Sequence, residues 1–328
     1  PVRQGAVKAA VTGATGFVGS HLIEVLRARG DQVTCLVRSP KKAKALEAAG
    51  VSLVYGDLEQ ERAVAVFVEG AEVVYHLAGL LAAPTEQEFL RVNRDGAGRL
   101  ALAARVAGVE SFLLVSSLAV TGPSYPGLPL DESERPAPVT PYGRSKRAGE
   151  EAVKDSGVPA TIVRPPIVYG PRDRQLLRLF KMAKRGVAPL LGDGSQQLSL
   201  VHATDLARAL VVAAESEATQ GRTYHAGHAE CLTQRELLQT IGRAVGKQPL
   251  LVPLPPLLVR GGLRAAGLFS RWAGRVSLLG PDKAPELLAP AWTCSSEALA
   301  RDTGWRAEIA AQEGLQQAAD WYRAEGWL

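Results

Sequence analysis

The chain has 328 residues, of which 46% are hydrophobic, 22% charged and only 5% aromatic, a globular make-up large enough for one large or two modest domains. Its 38 Lys and Arg against 33 Asp and Glu leave a net charge of +5, and no block of five or more basic residues occurs. This argues against nucleic acid as the main partner and excludes disorder and a collagen-like chain. Cys35, Cys231 and Cys294 lie far apart and form no CxxC pair, so reduced thiols and no metal site are expected. The opening stretch PVRQGAVKAAVTG lacks the apolar core of a signal peptide. The most apolar stretch, 250–259 (LLVPLPPLLV), is too short for a bilayer and holds three prolines. A cytoplasmic protein without a transmembrane span is expected.

In chain order, an apolar run at 7–11 leads through a Gly-rich turn into a helical pattern over 20–29. Strands at 32–37 and 51–55 flank an Ala/Lys-rich helix at 41–49. Apolar runs at 73–77 and 112–115 are separated by helical spacing over 88–106. Apolar strands alternating with helices predict a parallel sheet buried on both faces, hence an α/β, Rossmann-type doubly wound fold. After 162–164 loops lengthen and prolines cluster, at Pro165, Pro166 and Pro171 and again over 249–256. A helical 203–214 precedes a strand-like 223–226, and 232–245, 254–272 and 310–323 read as helices. The predicted division is a dinucleotide-binding domain over 1–170, rejoined by 200–227. A smaller, mostly helical substrate-binding region then comprises 171–199 and 228–328.

The first strand runs straight into Thr12-Gly13-Ala14-Thr15-Gly16-Phe17-Val18-Gly19. Small residues suit this place: Gly13 permits the tight turn, Gly16 lets backbone approach a pyrophosphate, and Gly19 lets helix and strand pack closely. The helix N-terminus then offers free N–H groups to phosphate. This GxxGxxG spacing resembles the short-chain dehydrogenase/reductase superfamily. TGATGFVG resembles its extended branch, which holds nucleotide-sugar epimerases, dihydroflavonol reductases and 3β-hydroxysteroid dehydrogenases. The resemblance runs over 7–214 and places Thr15, Phe17 and Val18 along the cofactor with the glycines. It implies adenine contacts from Asp57 and Leu58, and a wall beside the cofactor from Leu77, Ala78 and Gly79. His76 is expected to pack or to cap backbone.

An acidic residue at the end of the second strand would hold the adenosine ribose and favour NAD. Here the strand ends Leu36-Val37-Arg38-Ser39-Pro40-Lys41-Lys42. Arg38, with Lys41 or Lys42 nearby, suits a 2′-phosphate. NADP(H) is therefore expected over NAD(H). In the alternative, Arg38 stacks on adenine and the lysines form a solvated helix face.

Tyr142 and Lys146, in Thr140-Pro141-Tyr142-Gly143-Arg144-Ser145-Lys146, lie four apart at the start of a predicted helix and so share one face. A tyrosine acting near neutrality needs its phenolate stabilised, which a neighbouring ammonium provides. Ser116-Ser117-Leu118-Ala119-Val120-Thr121-Gly122 resembles the family's SSxxVYG element, with Thr121 in place of Tyr. By that resemblance Ser117 is the hydroxyl that bonds the substrate oxygen, and Ser116, also placed along the cofactor, points to the opposite side. Asn93, in VNRDG, matches the VNxxG element, where the Asn supports helix geometry and a proton relay. The implied set is Ser117, Tyr142 and Lys146, supported by Asn93, with Lys146 binding the nicotinamide ribose and lowering the Tyr142 pKa. Arg164-Pro165-Pro166-Ile167-Val168-Tyr169-Gly170-Pro171 matches RPxxVYGP, which carries Pro165, Ile167 and Val168 past the nicotinamide. His202, at a strand-to-helix entry, is expected to be structural.

Dehydratases of this branch have acidic residues directly after the catalytic hydroxyl. Leu118 and Ala119 stand there in this chain and argue against sugar dehydration. A nucleotide-sugar epimerase stays open, since Arg172, Arg174 and Arg178 could bind a diphosphate, as does a non-catalytic cofactor-binding regulator. The Val37-Arg38 ending and the apolar 250–268 resemble the reductase and hydroxysteroid-dehydrogenase-like members. They imply a hydrophobic or aromatic ketone substrate under an apolar lid. Because 254–272 interleaves Arg260, Arg264 and Arg271 with Leu, Val and Phe, it could instead meet a membrane surface or a second subunit. The resemblance implies a homodimer joined through the helices that carry Asn93 and Tyr142.

Overall fold

The computed structural model describes residues 5–272 and 280–328; the side chains of Lys42 and of residues 270–272, including Arg271, lie outside the described set. β1 (Lys8–Thr12) leads into α1 (Phe17–Ala28), β2 (Gln32–Val37) into α2 (Pro40–Ala48), and β3 (Ser52–Tyr55) into α3 (Glu61–Val68). β4 (Val73–His76) is followed by α4 (Glu86–Leu90) and α5 (Ala97–Val106), then β5 (Ser111–Val115), α6 (Pro141–Ser156) and β6 (Ala160–Arg164). Next come β7 (Ile167–Tyr169), α7 (Leu177–Lys184), β8 (Val187–Leu191), β9 (Gln197–His202), α8 (Ala203–Glu215) and β10 (Thr223–His225).

A seven-stranded parallel sheet forms in the order β10-β6-β5-β4-β1-β2-β3, the Rossmann arrangement with one added edge strand. Its strands are apolar on both faces because both are covered. Val73, Tyr75 and Leu113 point to the side packed by α1, α2 and α8, while Val74, Phe112 and Leu114 point to the side packed by α3, α5 and α6. Strand order reverses between β1 and β4, where Thr12 pairs in register with His76. A crevice therefore opens at the C-terminal ends of these strands.

The span 88–106, read from sequence as helical, is helical from Glu86 to Val106 without interruption and carries a π-helical turn, Arg91–Gly96, between α4 and α5. A Cβ at Gly149 of α6 would lie 2.2 Å from the Asn93 carbonyl oxygen, so the widened turn meets α6 in direct backbone contact.

The C-terminal region holds β11 (Cys231–Thr233), α9 (Gln234–Ala244), β12 (Leu250–Leu254), α10 (Pro256–Trp272), α11 (Ala284–Leu287), β13 (Ala291–Trp292), α12 (Glu297–Thr303) and α13 (Ala311–Ala324). Helices dominate it, but β9 also carries a small sheet with β7 and β13 parallel and β11 antiparallel to it, and β8 pairs with β12. Leu299 of α12 and Trp305 lie in the core of the main sheet. Tyr224 of the edge strand β10 donates to Asp302 at 2.6 Å and ties that segment down. Among the described residues no helix is long and apolar enough to cross a membrane.

Candidate active site

The β1–α1 turn is built from glycines that nothing larger could replace. Gly13 has φ +74°, and a Cβ there would meet Ala78 N at 2.8 Å; a Cβ at Gly19 would meet Gly13 O at 2.2 Å. Gly16 caps α1 without any side-chain acceptor, which leaves the first turn of N–H groups facing the crevice. Thr15 is exposed, and Phe17 and Val18 are half-buried at the mouth. Thr12 Oγ1 accepts the Ala78 N–H at 3.2 Å and bonds His76 Nδ1 at 2.7 Å. Burial, then the nearby Lys146, push the His76 pKa down to about 3, so this imidazole is a neutral brace for the 77–79 wall.

Arg38 projects from the end of β2, 75% exposed, with Nη1 3.6 Å from the Asp57 carboxylate beside it on the β3 side. So exposed a pair holds little energy and leaves the guanidinium available to a further anion. Leu58 is buried beneath Gly96, where a Cβ would come within 3.1 Å of its Cδ1.

At the chemical end, Thr140 caps α6 by accepting the Gly143 N–H at 3.1 Å, with Pro141 in the first turn. A Cβ at Gly143 would lie 2.4 Å from Ala119 O, so α6 sits directly against the turn that follows Ser117. This approach brings Tyr142 to Ser117, whose hydroxyl pulls the phenol pKa down and accepts the Ala119 N–H at 3.2 Å. Lys146, one turn along, is buried and donates to Val115 O at 2.7 Å. Burial lowers its pKa to about 8. Gly79 faces both Lys146 and Asn93, since a Cβ there would lie 3.8 Å from Nζ and 3.1 Å from Oδ1. Asn93 Oδ1 accepts from Leu80 N at 2.8 Å, while its Nδ2 donates to Leu80 O at 3.1 Å and to Ser145 Oγ at 2.9 Å. It thus fixes the wall to α6 through Ser145. Pro165 O accepts the Leu118 N–H at 2.9 Å, so the segment leading to the half-buried Ile167 and Val168 passes beside Ser117.

Ser116 turns its hydroxyl into the core and donates to Glu150 at 2.5 Å, on the opposite side from Ser117, as alternation along extended backbone requires. The Lys146 ammonium is turned to the Val115 carbonyl. Burial dominates and pushes the phenol up to about 12, against the pull of Ser117. Two of the three arginines offered to a diphosphate are engaged elsewhere: Arg172 pairs with Glu24 and donates to Ser20, and Arg174 stacks over Trp327 at 4.7 Å, while Arg178 is exposed. His202 caps α8 by accepting the Thr204 N–H at 3.3 Å.

The sequence reading missed three neighbours of Tyr142. Phe89 lies with its ring 6.2 Å away, and Lys283 places Nζ 5.4 Å over the tyrosine ring while pairing with Glu286 at 2.8 Å. No spacing links Lys283 or Glu286 to the motifs; the fold alone brings them there.

Residues 9–227 match the NAD dependent epimerase/dehydratase family. The chain belongs to that family. It is 38% identical over 323 residues to a ceramide reductase of Caulobacter vibrioides, covering 97% of this chain and 95% of that protein. It is also 29% identical to a 2-alkyl-3-oxoalkanoate reductase of Stenotrophomonas maltophilia, covering 95% and 98%. Among solved structures, Thermus thermophilus UDP-glucose 4-epimerase in complex with NAD is 26% identical, with a TM-score of 0.76 over 96% of this chain and 99% of that one. This epimerase/dehydratase family member is an extended short-chain dehydrogenase/reductase, an oxidoreductase that uses a nicotinamide cofactor on CH–OH/C=O groups. The glycine cradle, which a Cβ would fill, and the uncapped N-terminus of α1 fit the pyrophosphate of that cofactor.

Proposed function

We propose that the protein is an NADP(H)-dependent reductase of a ketone on an apolar, lipid-like small molecule, the reverse being oxidation of its alcohol. The Tyr142 phenol, set beside Ser117 and one helical turn from Lys146, carries this reading. When bound, the cofactor supplies hydride to the carbonyl carbon. Tyr142 donates its proton to the substrate oxygen, and Ser117 holds that oxygen by hydrogen bonding. A phenol pushed up to about 12 stays protonated at neutral pH, which suits a proton donor. Lys146 and Asn93 position the cofactor side of the cleft. Arg38, standing where an acidic residue would select NAD, is assigned to the 2′-phosphate. Full-length likeness to a ceramide reductase and to a reductase of an alkyl-oxoalkanoate supports the lipid-like substrate. So do the apolar Leu118 and Ala119 after Ser117. Exposed Leu102 and Val106 on α5 support a homodimer through α5 and α6.

Steady-state oxidation of NADPH with long-chain 3-oxo amphiphiles is the direct test, run beside NADH and beside UDP-glucose. Turnover of the lipid ketone with a lower KM for NADPH is expected. Epimerisation of UDP-glucose without net cofactor oxidation, or a lower KM for NADH, overturns the corresponding half of the reading.

The pH profile follows from Lys146. Its folded-state pKa is depressed to about 8, so the ammonium is intact below that value and is lost as pH rises through it. Reductive kcat/KM should therefore be flat through neutrality and fall with a one-proton slope above about 8. Lys146→Arg should move the decline to higher pH, because a guanidinium stays charged. A parent profile still flat at about pH 10 would remove Lys146 from the role.

A further inference from the structure

α10 wears its apolar side outward. At 100° per residue, Leu257, Gly261, Ala265 and Leu268 share one line, with Leu258 and Phe269 beside it. Leu257 is 81% exposed and Leu268 69%, whereas Val259 and Leu263, on the opposite side, are buried and anchor the helix. A helix that merely covers a core shows the reverse pattern. Arg260 and Arg264, both exposed, border the apolar line along one side, and between residues 248 and 281 the chain has four arginines and no acidic residue. β12, directly before α10, continues the surface with exposed Leu250 and Val252.

We propose that α10 and β12 dock the protein on an anionic lipid bilayer, with α10 lying in the plane of the interface. Apolar side chains enter the acyl boundary while arginines meet the headgroups, the arrangement of an interfacial amphipathic helix. A second copy is the poorer occupant, because self-association would set one acid-free arginine segment against another. The inner side of the same helix leads toward the candidate site. Gly267 packs on Pro281, where a Cβ would come within 2.8 Å, and the segment from Pro281 to Leu287 carries Lys283 over the Tyr142 ring. The proposal stands on surface chemistry and not on the reductase reading, so vesicle binding and turnover can fail separately.

The test is flotation of the whole protein with phosphatidylcholine vesicles made with and without phosphatidylglycerol. Each arginine near an anionic surface is worth about fivefold in partition, from about 1 kcal/mol, so the anionic vesicles should bind at least about tenfold more protein, less so at high salt. Arg260→Glu with Arg264→Glu should erase that preference, and Leu257→Glu with Leu268→Glu should abolish binding to both vesicles. Both variants should keep the parent melting temperature and sedimentation. A parent that does not float with anionic vesicles overturns the proposal, as does a leucine variant that floats undiminished. A leucine variant that changes the sedimentation coefficient also overturns it, since a second copy would then be the occupant.

Discussion

Tyr142→Phe should lower turnover by about 10²–10⁴-fold, the span typical of losing a positioned proton donor, while the dissociation constant for NADPH stays within about twofold. The ring remains: it keeps its place beside Phe89 and beneath Lys283, so packing changes little. What disappears is the hydroxyl that faces Ser117. Stability should fall by no more than about 1 kcal/mol, the worth of one hydrogen bond. The loss should appear in kcat and kcat/KM together, because the proton is needed in the transition state and not for binding. Single-turnover NADPH oxidation and cofactor fluorescence titration separate the two quantities. A variant with parental turnover would remove Tyr142 from the reaction.

Legibility in the sequence followed the range of the forces involved. The β1–α1 turn was readable because its constraint is local: Gly13 needs positive φ, and Gly19 must meet Gly13 backbone, whatever the rest of the chain does. The strands were readable because burial on both faces makes them continuously apolar. Ser117, Tyr142 and Lys146 were assigned from motif order, and the fold brings them together. By contrast, α3 (ERAVAVFV) is rich in β-branched residues, which weakens a helical signal, and the π-helical turn between α4 and α5 packs against Gly149 of another helix, a contact no local spacing discloses. Lys283 and Glu286 reach Tyr142 only through the long return of the C-terminal chain. In α10 the periodicity disclosed an apolar face but could not disclose which way it looks. That direction depends on what the inner residues Val259 and Leu263 find to pack against.

Arg164→Met should cost about 3–5 kcal/mol of stability, the expense of leaving a buried charge without its partner. Glu150 and Arg164 have side chains only 3% and 5% exposed, joined by paired bonds of 2.8 and 2.6 Å. Ser116 donates to the same carboxylate, and Arg164 reaches Thr121, which bonds His225 at 3.1 Å. Burial and then Arg164 push the His225 pKa down to about 3, so that neutral ring cannot replace the lost cation. Glu150 lies one turn beyond Lys146 on α6, Ser116 directly precedes Ser117, and Arg164 directly precedes Pro165. The pair therefore clamps together the three chain segments that carry the candidate site. Two variants separate the energy of the pair from its geometry. Arg164→Met with Glu150→Leu removes both charges and should regain most of the lost stability, because apolar replacement of a buried pair is often neutral. Turnover should stay reduced in that double variant, since the bond that orients Ser116, and through it Ser117, is gone. Urea midpoints and kcat measured on the same preparations decide the matter. A single variant that loses less than about 1 kcal/mol would mean that the pair contributes no more than a surface ion pair. Full kcat in the double variant would mean that packing alone holds Ser117 in place.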